Sequence, residues 1–442
     1  MRNHKSAMHK HTPDTFCVIP WLHRMTDEQG FHKLCCIAVG EGNSLRNAKG
    51  ERLHISQKLT DEQVLNSPTA KEVRRQMMSG AWPEVCERCR QREEVSGKSI
   101  RHQLNVRFEH GNREELLSQT RADGTLDRPV VRYADIRLGN VCNLTCRMCV
   151  PDASRLWAPF YNKVQPKGWR RPEAELKALA GNNWVKHESV AWLIEQCLPT
   201  AESFNFAGGE PLIIPEMVEA LELCIRSGRA GEISLSYNTN LTVLPEKVTS
   251  LWPHFRHVSL VCSVDGYGRV NDYIRRPSKW TDIDRNLKAL DRHFDEWNIR
   301  WAGVSATVQL HNILTIHELF AYLRNAGFSR LLPVPQLVPL FYPGYLCVQG
   351  LPRAAKAVAT QRLESEIERA EAGKQACQAD PADIAAFIGS IRSVIEFMDA
   401  KDTTPGLSDF LFFCRESDRA FGDSWREIAP ELAQYLGADH IK

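Results

Sequence analysis

From about residue 130 onward, the chain alternates between short apolar runs and longer amphipathic segments. The short runs have the length of buried strands and cover residues 130–138, 203–207, 233–237, 257–264, 303–310 and 331–338. Patterns typical of helices separate them at residues 190–197, 216–227, 283–293 and 316–326. Such alternation predicts βα units and a parallel sheet, and six strands are too few to close an eight-stranded barrel. We therefore expect an α/β fold with a partial (β/α)6 barrel.

The segments on either side of this barrel have a different character. Residues 1–128 show little apolar periodicity but contain five cysteines, so we expect a small N-terminal domain that is stabilised by a metal site. Residues 129–345 form the predicted barrel. Residues 346–442 are predicted to be a helical C-terminal region, in which Ile384, Phe387, Ile391 and Ile395 share one helix face.

Charge and hydropathy exclude several classes of protein. The 442 residues include 56 Lys and Arg against 54 Asp and Glu, and this near balance argues against a nucleic-acid partner. No apolar run approaches the ~20 residues of a membrane helix, and the N-terminus lacks the apolar segment of a signal peptide. We expect a cytoplasmic protein without a membrane partner.

Cysteine is the most informative residue type in this chain, with 14 copies. In a cytosolic protein, patterned cysteines indicate metal binding or catalysis more often than disulfides. Three of them, Cys142, Cys146 and Cys149, stand on one loop after the first predicted barrel strand. Three thiolates suit a cubane iron–sulfur cluster and leave its fourth iron open to a ligand. A structural zinc site is the alternative.

This Cys-x₃-Cys-x₂-Cys loop resembles the signature of the radical S-adenosylmethionine (radical SAM) superfamily. Further segments are similar to motifs of the same family, in the same order along the barrel. They are Gly208-Gly209-Glu210-Pro211 after the second strand, Asn238-Thr239-Asn240 after the third, Ser263-Val264-Asp265 after the fourth, and Arg275 shortly beyond. Two adjacent glycines let a backbone approach a ligand closely, and Glu210 could accept hydrogen bonds from an ammonium group.

The resemblance implies a role for each of these residues. Cys142, Cys146 and Cys149 would ligate a [4Fe–4S] cluster, whose open iron binds the amino and carboxylate groups of S-adenosylmethionine. The residues implied in SAM binding are Met148, Gly208, Gly209, Glu210, Pro211, Asn240, Ser263, Asp265 and Arg275. Met148 stands where the family commonly has an aromatic residue, which favours backbone contacts to adenine over stacking. Arg276 competes with Arg275 as the partner of the SAM carboxylate.

A second set of cysteines lies in the N-terminal segment: Cys17, the adjacent Cys35 and Cys36, and Cys86-x₂-Cys89. These pieces resemble the twitch and SPASM domains that carry auxiliary clusters, here placed before the barrel as in N-terminal-twitch radical SAM proteins. The resemblance implies a second [4Fe–4S] cluster held by Cys17, Cys86, Cys89 and one of Cys35 and Cys36. A structural zinc site remains the alternative.

The implied function is reductive cleavage of S-adenosylmethionine to a 5′-deoxyadenosyl radical, which abstracts a hydrogen atom from the substrate. An auxiliary cluster suggests an oxidoreductase that crosslinks or dehydrogenates a peptide or protein. The alternatives are dehydrogenation or rearrangement of a small molecule such as a sugar or alcohol, and a non-catalytic zinc-containing binding module. A flavodoxin- or ferredoxin-type protein would supply electrons.

Overall fold

The computed structural model describes residues 15–97, 99–109, 113–182, 184–373 and 380–436. Its strands, in chain order, are β1 (His23–Thr26), β2 (His32–Lys33), β3 (Tyr133–Arg137), β4 (Ser203–Ala207), β5 (Ser234–Thr239), β6 (His257–Ser263), β7 (Ile299–Val308) and β8 (Gln336–Pro339). The six strands predicted from the sequence correspond to β3 through β8. The two short strands β1 and β2 were not predicted, because their sequences are polar and lack alternation.

Helices occupy most of the remaining chain. Up to β4 they are α1 (Ile19–Leu22), α2 (Asp61–Leu65), α3 (Pro68–Met78), α4 (Glu87–Ser96), α5 (Ile100–Glu109), α6 (Arg113–Ser118), α7 (Tyr161–Val164), α8 (Glu173–Ala180) and α9 (His187–Cys197). After β4 they are α10 (Pro215–Arg226), α11 (Glu246–Thr249), α12 (Arg269–Ile274), α13 (Trp280–Arg292), α14 (Ile316–Asn325), α15 (Arg353–Glu371), α16 (Pro381–Asp399), α17 (Leu407–Phe421), α18 (Trp425–Ile428) and α19 (Pro430–Leu436). No described helix combines the length and apolar character that a membrane span requires.

The chain divides into two compact units. The first comprises residues 1–137 and 184–205, and the second comprises residues 138–183 and 206–442. In the first unit, β1 pairs antiparallel with β2 and parallel with β3, in the register His23 to Tyr133. The N-terminal segment therefore contributes strands beside β3. The boundaries predicted at residues 128 and 345 stay predictions.

Arg74 of α3 organises the packing of the first unit. Its side chain is fully buried and donates hydrogen bonds to the carbonyl oxygens of Pro20 (2.6 Å), Gly124 (2.7 Å) and Leu65 (2.8 Å). These carbonyls belong to segments that are distant in sequence, so one guanidinium ties α3 to the ends of α1 and α2 and to the turn at Gly124. Buried carbonyls need such donors, because an unpaired one costs free energy.

In the second unit, β5, β6, β7 and β8 run parallel in that order. Helices α11, α12, α13 and α14 lie between these strands in sequence, as a βα pattern requires. Strand β6 alternates buried and half-buried residues along its length, with Val258, Leu260 and Cys262 in the core. The predicted α/β fold with an open, mostly parallel sheet and a helical C-terminal region is confirmed. The residues that follow β5 through β8 gather at one edge of this sheet.

We predict that Arg74→Met destabilises the first unit by about 3 kcal/mol or more, because three buried carbonyls lose their donor. Peptide-resolved hydrogen exchange of the apo-protein would detect this as faster exchange around residues 20, 65 and 124. The control is Arg75→Met on the same helix, whose exposed side chain pairs with Glu72 at the surface and should change stability by less than about 0.5 kcal/mol. Equal exchange in both variants would contradict the role of Arg74.

Candidate functional site

The loop that carries Cys142, Cys146 and Cys149 is fixed by hydrogen bonds to the residues after α12. The backbone N–H groups of Thr145 and Arg147 donate to the carbonyls of Arg276 (2.6 Å) and Ile274 (2.7 Å). On the other side, the indole N–H of Trp157 donates to the carbonyl of Cys146 at 3.0 Å. The loop is therefore held in place although it contains no helix or strand of its own.

The three thiols of this loop lie in one group. The Cys146 side chain is buried and hydrogen-bonded with Cys149, an interaction that, together with burial, raises the pKa of Cys146 well above its usual value. Burial, reinforced by the nearby Cys146, raises the pKa of Cys142 to about 12. The predicted triplet is thus brought together as three neighbouring thiols.

Two polar side chains lie against the sulfurs. Asn240, directly after β5, places its amide nitrogen 3.8 Å from Cys142 Sγ and 2.9 Å from Asn143 Oδ1. Arg275, at the end of α12, places Nη1 4.0 Å from Cys146 Sγ. Both side chains are more than nine-tenths buried. N–H donors and a cation beside a thiol favour its thiolate, which is the form that binds iron.

Asp265 holds Arg275 in place. Its carboxylate lies 2.7 Å from Arg275 Nε and also accepts a hydrogen bond from the backbone N–H of Thr307 at 2.7 Å. Asp265 is completely buried, and burial raises the pKa of its carboxyl even though Arg275 opposes the shift. In this structure Asp265 therefore acts on the sulfurs indirectly, through Arg275.

Glu210 holds Asn240 in a similar way. Its buried carboxylate accepts hydrogen bonds from the backbone N–H of Asn240 (2.6 Å), the hydroxyl of Thr239 (2.8 Å) and the backbone N–H of Leu212 (3.2 Å). Burial is the largest influence and raises the pKa of Glu210 to about 7. The sequence suggested that Glu210 accepts hydrogen bonds from a ligand's ammonium group, whereas here its partners are groups of the protein.

Gly209 brings the turn after β4 against the cysteine loop. It has φ +51°, and a Cβ atom there would lie 2.1 Å from the carbonyl oxygen of Val141. The next backbone N–H, that of Glu210, donates to the same carbonyl at 2.9 Å. Gly209 therefore allows a close approach of this turn to the cysteine loop, and its predicted contact with a ligand stays a prediction.

The remaining predicted SAM-binding residues lie in the same turns and strand ends as the residues described above. Gly208 precedes Gly209 with φ +78°, and Pro211 is buried at the start of a short 3₁₀ turn. Ser263 is half-buried at the last position of β6, and Met148 is half-buried between Arg147 and Cys149. These four remain predictions as SAM contacts.

Arg276, the competitor of Arg275, lies in a different environment. Its guanidinium stacks over Phe421 at 4.3 Å from the ring centroid, and its Nε lies 3.5 Å from Asp423 Oδ2. Arg275 is the arginine beside Cys146 Sγ, so the structure favours it as the cationic group of this site.

The first unit contains a second group of cysteines, which lines a largely apolar pocket. Cys17, Cys35, Cys86 and Cys89 all border this pocket, with Arg101 at its edge. Burial raises the pKa of Cys86 to about 12 and raises that of Cys17 further, with Cys86 and Cys89 adding to the shift of Cys17. Among the described residues, no three His, Cys, Asp or Glu side chains are grouped as ligands of a single metal ion.

Cys36 differs from its neighbour Cys35. It is exposed, is absent from the lining of the pocket and lies near Asp135 and Arg137 of β3. A hydrogen bond between the two thiols raises the pKa of Cys35 and lowers that of Cys36. The structure therefore places Cys35, and not Cys36, with the other three cysteines.

Comparison with known proteins identifies the part of the chain that contains the three-cysteine loop. Residues 136–305 match the family model described as the Radical SAM superfamily. This segment is a radical SAM domain. Enzymes of this superfamily use a [4Fe–4S] cluster and S-adenosylmethionine. No curated protein matches the chain.

Several solved structures share a distant likeness with the chain. Native anSMEcpe with bound AdoMet is 16% identical, over 55% of this chain and 63% of that one, with a TM-score of 0.39. Streptococcus suis SuiB bound to precursor peptide SuiA is 14% identical, over 55% and 48%, with a TM-score of 0.33. TYW1 with a lysine–pyruvate adduct bound is 14% identical, over 53% and 73%, with a TM-score of 0.29. The chain spans slightly less than two thirds of the first structures it matches, and we rest no argument on these likenesses.

The residues of the three-cysteine loop suit the cluster of a radical SAM enzyme. Three neighbouring thiols supply soft ligands for iron and leave one iron of a cubane without a cysteine. The amide of Asn240 and the guanidinium of Arg275 lie against two of these thiols, where they would stabilise negative charge on sulfur. Asn143, Thr239 and Arg147 complete the surroundings. Thr239 belongs to a motif noted in the sequence, whereas Asn143 and Arg147 were not given a role there.

The raised pKa of Glu210 generates a prediction for the apo-protein. Its pKa is about 7 in the folded state against an ordinary value of 4.5, so the unfolded chain ionises first and folded stability falls as pH rises from about 4.5 to 7. Glu210→Gln removes the ionisable group and, with it, this pH-dependent loss of stability. Between pH 5 and pH 8, wild type should lose about 2–3 kcal/mol relative to the variant.

Urea unfolding of both apo-proteins at the two pH values measures this difference. Glu222→Gln is the control, because Glu222 is half-exposed and pairs with Arg226 on the surface of α10. It should leave the pH dependence of wild type unchanged. If the E210Q variant keeps the wild-type pH dependence, Glu210 does not titrate as its burial indicates.

Proposed function

We propose that this radical SAM enzyme holds its cluster on Cys142, Cys146 and Cys149 and oxidises a peptide or protein substrate. The observation that carries the cluster assignment is the contact of Asn240 and Arg275 with two of the three thiols, within the segment that matches the family. When bound, the reduced cluster and S-adenosylmethionine together supply methionine and a 5′-deoxyadenosyl radical, which takes a hydrogen atom from the substrate.

The chain's own residues orient the reactants. Arg275 would bind the carboxylate of S-adenosylmethionine, because its guanidinium presents several donors and its Nε is already paired with Asp265. Asn240, which Glu210 holds at the end of β5, would donate a hydrogen bond to S-adenosylmethionine. Ser263 and the turn from Gly208 to Pro211 would contribute further hydrogen bonds and close backbone contacts. Met148 would contact adenine through its backbone.

We further propose that Cys17, Cys35, Cys86 and Cys89 ligate an auxiliary [4Fe–4S] cluster. Four cysteines around one apolar pocket supply the full ligand set of a cubane, and Arg101 beside them would offset its negative charge. A fully ligated cluster has no open iron for S-adenosylmethionine. Its simplest role is to accept an electron from the substrate radical, which makes the net reaction an oxidation.

Iron content tests this ligand set. Anaerobically reconstituted wild type should contain about eight irons with matching sulfide, and Cys35→Ala should contain about four. Cys36→Ala is the matched control and should retain about eight, because Cys36 is exposed and does not border the pocket. Zinc at one equivalent in wild type, or equal iron loss in the C35A and C36A variants, would contradict the proposed auxiliary cluster.

A peptide substrate is supported by exposed aromatic residues after β8. Phe341 and Tyr342 are 60% and 48% exposed, and the ring of Trp169 lies 5.5 Å from that of Tyr342. These residues follow the same edge of the sheet as Asn240 and Ser263, where barrel enzymes bind substrates. Exposed aromatic surface of this kind suits the side chains of a peptide. A sugar or alcohol substrate is the alternative. The electron donor would be a flavodoxin- or ferredoxin-type protein, in the cytoplasm.

The central test is reductive cleavage of S-adenosylmethionine. Wild type with dithionite should form 5′-deoxyadenosine, and Cys142→Ala should abolish its formation, because one iron ligand is lost. Cys262→Ala is the control, since Cys262 is buried in β6. A peptide fraction should increase the yield more than a small-molecule fraction does. If wild type with a full complement of iron never cleaves S-adenosylmethionine, the chain is a binding module and not an enzyme.

A further inference from the structure

Arg147 is an unusual residue within the three-cysteine loop. It stands directly after Cys146 and two positions before Cys149, yet its side chain is fully buried. Its Nε donates to the carbonyl of Tyr273 at 3.2 Å, and its guanidinium lies 4.0 Å from the centre of the Tyr273 ring. A charged side chain in such a position requires a counter-charge.

The counter-charges come from the C-terminal region. Arg147 Nη2 lies 2.7 Å from Asp423 Oδ2 and 3.4 Å from Asp418 Oδ1. Asp418 stands in the last turn of α17, and Asp423 follows that helix. Asp418 is itself fixed, since it accepts hydrogen bonds from the Tyr273 hydroxyl (2.9 Å) and from the backbone N–H of Trp425 (2.7 Å).

Aromatic contacts bring the same segment against both sides of the loop. Phe421, between the two aspartates, packs edge-on against Trp157 with ring centres 5.9 Å apart. Trp157 is the residue that donates to the carbonyl of Cys146. On the other side, Phe421 packs under the guanidinium of Arg276, whose carbonyl accepts the hydrogen bond of Thr145. The residues from Asp418 to Asp423 therefore contact Arg147 and two of the residues that fix the loop, Trp157 and Arg276.

We propose that Arg147 is a positioning residue for the cluster, and that Asp418 and Asp423 hold it, so that the C-terminal region sets the geometry and the charge around Cys146 and Cys149. This inference rests on the proposed assignment of the cluster to Cys142, Cys146 and Cys149. The sequence predicted only that the C-terminal region is helical, and these contacts assign it a part in the site.

The charges determine the direction of the effect. Arg275 is a buried cation in contact with Cys146 Sγ, and Arg147 is a second buried cation, joined directly to Cys146 in the chain. Asp265 balances Arg275, and Asp423 is the nearest partner of Arg147. Loss of the Asp423 charge would leave the Arg147 cation less compensated. A cation near an iron–sulfur cluster stabilises the reduced form, which carries one more negative charge. The cluster should then become easier to reduce.

The experiment compares Asp423→Asn, Asp423→Glu and Glu427→Gln in the full-length, anaerobically reconstituted protein. The cluster under study is selected by its EPR signal, which is the one that changes when S-adenosylmethionine is added. Its midpoint potential is measured by redox titration, together with iron content and apo-protein melting temperature. Glu427 is the control because it lies on the same segment but pairs with Arg269 at the surface.

We expect Asp423→Asn to shift the midpoint potential of this cluster to a less negative value and to alter its EPR signal. Asp423→Glu, which keeps the charge, should restore much of the wild-type potential, and Glu427→Gln should match wild type. Equal potentials and EPR signals in D423N and wild type would overturn the proposal. So would an equal shift in E427Q, or loss of iron in D423N and D423E alike with a lowered melting temperature, which indicates a role in folding alone.

The proposed function fails in a different way. If wild type itself shows no EPR signal that responds to S-adenosylmethionine, the assignment of the cluster is wrong, whatever the variants do. If wild type shows that signal and the Asp423 variants match wild type in potential and EPR signal, the cluster assignment stands and the role of Arg147 is excluded.

Discussion

The site depends on the backbone pairing between residues 145–147 and residues 274–276. Two hydrogen bonds, from Thr145 to Arg276 and from Arg147 to Ile274, order a loop that has no regular structure of its own. Ordering each residue of such a loop costs about 1–2 kcal/mol of conformational entropy, which tertiary contacts must offset. Because Arg275 lies between the two accepting carbonyls, the pairing that orders the loop also brings the guanidinium next to Cys146. The backbone pairing therefore determines both the geometry of the loop and the position of the cation beside it.

The thiols of both cysteine groups would have to exchange protons for metal if they bind the proposed clusters. Burial raises the pKa of Cys142, Cys86 and Cys17, and the hydrogen bond with Cys149 together with burial raises that of Cys146, so these thiols are protonated in the apo-protein near neutral pH. Because iron binds the thiolate, assembly of the proposed clusters would release these protons and would become more favourable as pH rises. Arg275 and Arg101 partly offset the cost of the thiolates. Asp265 and Glu93, in turn, pair with these arginines and keep them in place.

The sequence contained enough information to predict the six principal strands, the cysteine loop and the order of the motifs around it. These features are local, because strand periodicity and the spacing of cysteines can be seen within a few residues. It did not reveal that β1 pairs beside β3, since a strand of four residues with a single apolar one, Met25, carries no strand pattern. It also left Cys35 and Cys36 equivalent, because only the fold shows which thiol borders the pocket. It did not reveal the partners of Glu210 either, because Thr239 ends another strand and Asn240 follows it; the contact of Glu210 with a ligand stays a prediction.

The pairing of Arg147 with Asp423 could not be predicted at all, because the two residues are 276 positions apart. The kind of interaction nevertheless indicates what this pair contributes. A buried ion pair is a poor way to gain stability, since apolar residues of similar volume often stabilise a protein equally well or better. Arg74 in the first unit has a structural role, because its partners are buried backbone carbonyls that require a donor. Arg147 has carboxylate partners and lies between two cysteines. Burying the Arg147 charge costs desolvation free energy. The proposed effect of Arg147 on the geometry and charge around Cys146 and Cys149 explains this cost better than the packing of the C-terminal region does.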